Sequence, residues 1–218
     1  QGALFDLSAM RDAVNGAMAY PLGGGVSADA VFDALRDEAA AARTAREHLR
    51  VLEAFVFAMG DHHAHLSTND ALSPRLIPTG ASVWVDGRGG RLVVSEVRPA
   101  GSGLTIRKAG LREGMVIEKI DGLPVAEAVK PPQALAERAD AMLGFAGRVV
   151  LAGTRTRQPT VTVRGADGRT HEVTIPAAVN EHGELAHLSF PAPSVALIRL
   201  ENSIGDSALN PVFDRLME

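Results

Sequence analysis

Three histidines stand close together at one point of the chain, in the segment Gly60-Asp61-His62-His63-Ala64-His65. A neutral imidazole with a pKa near neutrality accepts a proton well when an acceptor holds its other ring nitrogen. Asp61 is a carboxylate close enough in sequence to be that acceptor for His63. Residues two apart do not face each other on a helix, so the pairing needs a turn. The plainer alternative is that Asp61 and His63 only cap the end of a helix.

The same histidines also suggest a metal site. In an extended segment His63 and His65 point to the same side, as two zinc ligands would need. A third ligand is not indicated, because His171, His182 and His187 are widely scattered along the chain. We therefore predict no native metal and no organic cofactor, whereas stoichiometric zinc that survives dialysis would favour the metal site.

The composition excludes several classes of function. The 218 residues are 46% hydrophobic and 22% charged, which is typical of soluble globular domains. A net charge of −4 and an aromatic share of 4% argue against a nucleic-acid binder, which needs a basic face and stacking rings. The sequence has no run of eighteen apolar residues that would span a membrane. Because it has no cysteine, disulfides, thiolate metal sites and a cysteine nucleophile are excluded.

Helices are predicted on the N-terminal side of the histidines. Residues 27–59 have helix-forming composition without Gly or Pro, and apolar residues recur every three to four positions. Ser27 is a candidate N-cap and Gly60 a candidate C-terminal stop. Whether this is one helix or two joined near Arg43 stays open. With a shorter helix predicted from residue 5 to 18, residues 1–72 form a helical N-terminal region.

From about residue 76 the pattern changes to alternation, with Gly and Pro between the apolar runs. The pattern predicts strands at 82–85, 91–97, 116–120, 149–152, 160–164 and 171–175. Asp167-Gly168 is predicted to join the last two strands as a hairpin. One clear helix is predicted at 133–143. Residues 73–176 should therefore form a compact β-rich unit with a single main helix.

The C-terminal part, residues 177–218, is predicted to begin another domain. Residues 180–193 read as an irregular linker, Val195–Leu200 as a buried strand and residues 206–217 as an amphipathic helix. A strand followed by a helix is half of a βαβ unit, whose partner strand would lie beyond Glu218. The predicted fold class is α+β, with a helical N-terminal region, a β-rich unit and the first strand and helix of an incomplete α/β domain.

The most specific string is Ala109-Gly110-Leu111-Arg112-Glu113-Gly114-Met115-Val116-Ile117, followed by Ile120-Asp121-Gly122. It resembles the bacterial PDZ pattern, in which Ala-Gly-Leu, two residues, Gly-Asp, an apolar pair and then Ile-Asp-Gly occur in that order. The glycines suit tight turns, because Gly adopts positive φ freely. Met115 departs from the pattern, which usually has Asp there, and we expect the change to remove one turn hydrogen bond without altering the fold.

Two further strings extend the resemblance. An apolar helix ending in Asp61-His62-His63-Ala64, just ahead of a PDZ domain, resembles the tail-specific, or carboxyl-terminal processing, serine peptidases. That family includes the tricorn-like peptidases and the chlamydial protease-like activity factor. Val195–Leu200 with Asn202-Ser203 resembles the segment that opens the peptidase domain of this family. The three strings stand in the family's order along the chain.

The resemblance implies a serine peptidase of which this chain contains only the first part. In the tricorn-like branch the catalytic His comes from the Asp-x-His position, which makes His63 the candidate general base and Asp61 its orienting residue. The nucleophilic Ser of the family lies in the later peptidase domain. No Lys follows Lys130, and no recognisable nucleophile motif surrounds the serines at the C-terminal end, Ser189, Ser194, Ser203 and Ser207. The chain alone is predicted to be inactive.

For the PDZ unit, the resemblance implies capture of peptide or unfolded-protein C-termini. An extended ligand would add as a strand, and backbone N–H groups would receive its carboxylate. The candidate loop and edge strand contain Gly80, Ala81, Ser82 and Val83. The helix at 133–143 would be the far wall, with an apolar pocket formed by Leu135, Ala139 and Met142. The alternative is that these are core residues of a PDZ fold that binds nothing tightly.

The expected partners are therefore peptides and a peptidase domain outside this sequence, and homo-oligomers are compatible with it. We expect a periplasmic or secreted protein, because the chain begins with Gln1 instead of Met and because the family resides there. A non-catalytic peptide-binding module is the competing hypothesis. A longer chain carrying the peptidase half would favour the enzyme.

Overall fold

In the computed structural model, the described residues are 2–17, 27–61, 64–66, 69–75, 82–98, 102–129, 139–177, 186–200 and 210–214. The chain divides into two compact units, Gln1–Val179 and Asn180–Glu218. The fold class is α+β, as predicted: a helical N-terminal region is followed by an antiparallel sheet. The predicted boundary near residue 72 falls inside the first unit and stays a prediction.

The N-terminal region contains three helices, α1 (Ala3–Ala17), α2 (Ala28–Ala41) and α3 (Ala45–Ala58). The predicted N-cap is confirmed, because the Ser27 hydroxyl accepts the N–H of Ala30. The region 27–59 forms two helices, since Thr44 and Glu47 make a capping box that starts α3. Backbone N–H groups of Arg43 and Thr44 bond the Glu47 carboxylate and lower its pKa.

Six strands of the first unit form one antiparallel sheet. The strands are β1 (Val83–Arg88), β2 (Arg91–Val97), β3 (Val116–Ile120), β4 (Leu123–Pro124), β5 (Thr160–Arg164) and β6 (Thr170–Thr174). Their order is β1-β2-β3-β5-β6, with the short β4 paired to β3, so that β1 and β6 are the edge strands of this path. The predicted hairpin of the last two is confirmed.

The first hairpin is tighter than predicted. β1 continues to Arg88, which pairs with Arg91, and only Gly89 and Gly90 form the turn. Both glycines have positive φ, 56° and 73°, which a two-residue turn between twisted strands requires. The strand predicted at 82–85 is therefore wrong at its C-terminal end, because β1 extends three residues further.

Helix α6 (Ala139–Ala152) is the largest departure from the sequence prediction. The strand predicted at 149–152 is wrong, because these residues are the last turn of α6. The predicted helix at 133–143 is confirmed only from Ala139 onward, and residues 133–138 lie outside the described residues. The structure also has two short helices that the pattern did not indicate, α4 (Ser102–Lys108) and α5 (Val125–Ala128).

The reason for the error is that α6 packs between two hydrophobic clusters and is apolar on two sides. Towards the helical cluster it contributes Met142, Phe145 and Ala152, which pack with residues such as Phe55 of α3. Towards the sheet cluster it contributes Leu151, with Leu143, Ala146 and Val150 partly buried there. A helix buried on two sides lacks the single apolar stripe that identifies a surface helix.

The second unit has a hairpin of β7 (Ala186–Ala192) and β8 (Val195–Leu200), and a helix, α7 (Asn210–Asp214). The irregular linker predicted at 180–193 is thus wrong from Ala186 onward. β8 was expected to be a buried strand, yet most of it is exposed, and its partner is β7. The predicted helix at 206–217 is observed over α7, and its other residues lie outside the described ranges.

Across the ranges that the structure describes, no helix is both long and apolar enough to span a bilayer.

Candidate functional site

The first predicted site lies where α3 ends. Gly60 has a φ of 66°, the left-handed conformation expected of a helix C-terminal stop. It lies against α6, because an added Cβ would be 3.2 Å from the sulfur of Met142. Asp61 is half-buried, and its carbonyl accepts the N–H of Ala64 at 3.2 Å. His62 and the candidate base His63 lie outside the described residues, so their predicted chemistry stays a prediction.

The segment after the histidines, residues 69–75, is fixed at both ends. The Asp70 carboxylate accepts a hydrogen bond from the Arg46 guanidinium of α3 at 2.7 Å. Burial raises the pKa of Asp70, but the N–H groups of Leu72 and Ser73 together with Arg46 outweigh it and lower the pKa overall. At the other end the N–H of Arg75 donates to the Gly153 carbonyl at 2.9 Å. The connection from α3 toward β1 is therefore held by α3 and by the loop after α6.

Sequence reasoning missed this attachment, although one local signal for it exists. Asp and Ser three residues apart favour a turn in which side chains bond the backbone. Here the Ser73 hydroxyl accepts the N–H of Asp70 at 2.9 Å, and Asp70 accepts the N–H of Ser73 at 3.0 Å. The long-range partner Arg46 has no sequence signal, because its distance from Asp70 depends on how α3 packs.

The second predicted site is the peptide-binding edge, of which the structure describes Ser82 and Val83. Gly80 and Ala81 lie outside the described residues. Ser82 is buried: its hydroxyl bonds the Ser102 hydroxyl at the start of α4, and its carbonyl accepts the N–H of Arg98. Val83 is also buried and belongs to the sheet cluster. The Val83 side chain therefore belongs to the core and not to an open groove.

The predicted far wall of the groove is α6, which lies directly on β1. A Cβ at Gly87 would overlap the carbonyl oxygen of Asp140, and one at Gly144 would lie 2.9 Å from the nitrogen of Gly87. Because Gly87 and Gly144 have no Cβ, α6 lies closer to β1 than any other residue at these two positions would allow. Asp140 strengthens the contact, because its carboxylate accepts the N–H groups of Gly89 and Gly90 at 2.8 and 2.9 Å. These bonds, that to Gly90 first, lower the pKa of Asp140.

The three predicted pocket residues on this wall have different positions. Ala139 lies in the first described turn of α6. Met142 is only 6% exposed and packs in the helical cluster, so its side chain belongs to the core and not to an open pocket. Leu135 lies outside the described residues. The structure therefore brings α6 and β1 together but directs Met142 toward the end of α3.

The PDZ-like string, residues 109–122, folds as a turn, a strand and a second turn. Gly110, Gly114 and Gly122 have φ values of 99°, 86° and 79°. Between the turns, β3 pairs with β2 on one side and with β5 on the other. Asp121 then ties this string to β5, because its carboxylate accepts the N–H of Thr160 at 2.9 Å.

Charged groups pin the first of these turns to the end of β2. Glu113 accepts the N–H of Val97 at 3.1 Å and pairs with Arg107 of α4. Its own backbone N–H and that of Val97 lower the pKa of Glu113, with Arg107 acting in the same direction. Met115, which departs from the PDZ pattern, packs its side chain against the sheet cluster.

No cluster of metal-binding side chains occurs among the residues that the structure describes. That range includes His65 but excludes His62 and His63. The metal interpretation of the histidine segment is therefore untested.

The comparisons with known proteins concern the whole chain. No protein-family model matches it, and no curated protein does. The solved structures to which it is similar include those of a chlamydial serine protease. That protease is CPAF, in a mutant form (16% identity, TM-score 0.43) and in its mature form complexed with lactacystin (17%, 0.41). The matches cover 81% and 82% of this chain but 34% and 36% of those chains, so it spans about a third of their length.

Proposed function

We propose that this chain is the N-terminal and peptide-binding part of a serine-type peptidase of the tail-specific or tricorn-like kind. The observation that carries the proposal is the fold of the PDZ-like string. Its three glycines adopt positive φ values, as expected of glycines in tight turns, and the strand between them lies inside an antiparallel sheet. The sheet has an edge strand, β1, with a helix beside it, as a peptide-adding site needs.

In this proposal the PDZ-like unit captures the C-terminus of a peptide or unfolded protein. The ligand adds to the edge at the start of β1, and its carboxylate is received by the N–H groups of the preceding segment, which includes Gly80 and Ala81. This capture selects or gates substrates for the peptidase. We place the protein in the periplasm or outside the cell.

The chemical step is proposed to be hydrolysis through an acyl-enzyme. His63 takes the proton of a serine hydroxyl as that oxygen attacks the scissile carbonyl, and then gives the proton to the leaving amine. Asp61 orients the imidazole. The nucleophilic serine and the oxyanion hole lie in a part of the protein outside this chain.

A binding experiment tests the first half of the proposal. Fluorescein-labelled seven-residue peptides with apolar C-terminal residues are titrated into the 218-residue chain, and anisotropy is recorded. We expect saturable binding of the free carboxylates and at least tenfold weaker binding of the same peptides as C-terminal amides, since a charge-assisted contact contributes about 1.5–3 kcal/mol. Equal binding of acid and amide would contradict capture of C-termini.

A hydrolysis experiment tests the second half. A longer chain from the same gene, with the peptidase part, should cleave fluorescent casein, and His63→Ala should abolish cleavage. His65→Ala is the matched control and should leave the rate nearly unchanged. Cleavage by the 218-residue chain itself would show that the nucleophile lies within it. A longer chain that binds peptides but cleaves nothing would favour the non-catalytic binding module.

A further inference from the structure

The hydrogen bonds of β2 determine which groups of β1 face its free edge. In an antiparallel pair, opposed residues either exchange both bonds or point both groups away from each other. Val94 donates to Met115 and accepts from Gly114, and Val97 donates to Glu113 and accepts from Arg107. Both residues thus turn away from β1. Their partners there, Val85 and Val83, accordingly direct their N–H and C=O groups to the outer edge.

One of these outward groups is already occupied. Arg148 of α6 donates from Nη1 to the Val85 carbonyl at 2.9 Å. Its guanidinium also lies 4.5 Å from the centre of the Trp84 ring, and Asp86 is 3.7 Å away. Trp84 is on the opposite face of β1 from Val83 and Val85, because side chains alternate along a strand. The Arg148 side chain therefore wraps around the edge of the sheet at Val85.

Burial as well as hydrogen bonding holds the Arg148 side chain in this position. The Arg148 side chain is only 12% exposed, and burial lowers its pKa against the opposing effect of Asp86. Just beyond Val85, the Gly87–Gly144 approach brings α6 onto the strand. A ligand strand that continued past Val83 would have to displace this guanidinium and take over the Val85 carbonyl.

We infer that Arg148 sets the length of peptide that β1 can accept, so that pairing stops after Val83 and only the last few residues of a ligand are recognised by their backbone. This rests on the proposed peptide capture and adds a specificity-determining residue to it. The ligand class is a short free C-terminus with little requirement for residues further upstream. Removing the guanidinium should open the edge at Val85 to a longer strand.

The test compares binding of three-, five- and seven-residue peptides that share one C-terminal sequence. For the wild-type chain we expect affinities within about threefold from the shortest to the longest peptide. Arg148→Met keeps the apolar stem but removes the donor, and its affinity should rise on the order of tenfold over the same series, because each added backbone bond contributes about 0.5–1.5 kcal/mol. Arg88→Met is the matched control, because Arg88 also lies near Asp86 but is not bonded to the Val85 carbonyl.

A second measurement uses the wild-type chain alone, in case Arg148→Met fails to fold. Hydrogen exchange with the seven-residue peptide bound should protect the N–H of Val83 and leave that of Val85 unchanged. Protection of Val85, or an equal rise of affinity with length in the wild-type chain, would overturn the inference while leaving peptide capture intact. If no peptide of any length binds the wild-type chain or the variants, peptide capture fails and the inference fails with it.

Discussion

At the scale of single residues, Asp140 links the first hairpin to α6. A short hydrogen-bonded turn of two glycines presents two N–H groups in the same direction, and the carboxylate accepts both. A carboxylate held by backbone donors resists protonation, so its stabilising effect depends on pH. The same bonds place the N-terminal end of α6, and with it Arg148, relative to β1.

We expect Asp140→Asn to lower stability in a pH-dependent way. Because the folded pKa of Asp140 is lowered, its contribution is complete above the usual carboxyl pKa of about 3.9 and is lost as the pH falls through the folded value. Urea midpoints of wild-type chain and variant should therefore differ most near pH 7 and converge toward the lowest pH at which both still fold. A difference that stays constant with pH would contradict the role of the charge.

The close approach of α6 to β1 leads to a second prediction. Gly87→Ala would place a Cβ on the Asp140 carbonyl, so α6 must shift and stability should fall by roughly 1–3 kcal/mol. Gly16→Ala is the matched control, because nothing lies within 4 Å of its added Cβ and alanine is the better helix former. Urea unfolding measures both. Equal stability of Gly87→Ala and wild type would contradict the close approach of α6 to β1.

At the scale of elements, the break between α2 and α3 depends on a capping box. Thr44→Ala should lower the free energy of unfolding by about 1 kcal/mol, because the N–H of Glu47 loses its acceptor. Thr44→Ser keeps the hydroxyl and should remain close to wild type. Chemical denaturation with helix content as the signal tests this. A loss as large for serine as for alanine would assign the effect to the methyl group.

Elements whose limits depend on local chemistry could be predicted from the sequence. Ser27 and Gly60 bound helices as expected, and the glycines of residues 110–122 adopt the expected turns. α6 could not be predicted in the same way. Val149, Val150 and Leu151 resemble a strand, and only packing against both clusters makes them helical. The strand β7 could not be predicted for a related reason. It is a strand because it pairs with β8, and its own residues do not indicate that pairing.

The candidate site was predictable to a lesser degree than the fold. The edge strand and its neighbouring helix follow from the PDZ-like string, but the Arg148 contact with Val85 joins residues 63 positions apart. No local pattern indicates such a contact. The PDZ resemblance predicts Met142 in a pocket on the helix, whereas its side chain packs toward Gly60. Spacing gives the face of a helix but not the element that the face meets.

At the scale of the whole first unit, one helix belongs to both hydrophobic clusters. Phe55 is fully buried among α1, α2, α3 and α6, while Trp84, the single tryptophan, lies on β1. If α6 couples the two clusters, a substitution that destabilises the helical cluster also destabilises the sheet cluster. The predicted division near residue 72 would then separate regions of sequence that unfold together.

We therefore expect Phe55→Ala to lower stability by roughly 3–5 kcal/mol and to shift two signals together. Trp84 fluorescence reports on the sheet, and far-ultraviolet circular dichroism reports largely on the helices. Both should move to the same lower urea concentration in the variant. A Trp84 transition that keeps its wild-type midpoint would indicate that the helical region and the sheet unfold independently.

The position of β3 in the sheet has a consequence for how the protein is made. One neighbour, β2, precedes it, but the other, β5, follows about 40 residues later, after α6. At about 5–20 residues per second, the ribosome delivers β5 roughly 2–8 seconds after β3. During that interval the backbone groups of β3 that face β5 lack their final partner. The nascent chain thus passes through a stage in which the future centre of its sheet is an open edge, where chaperones would act.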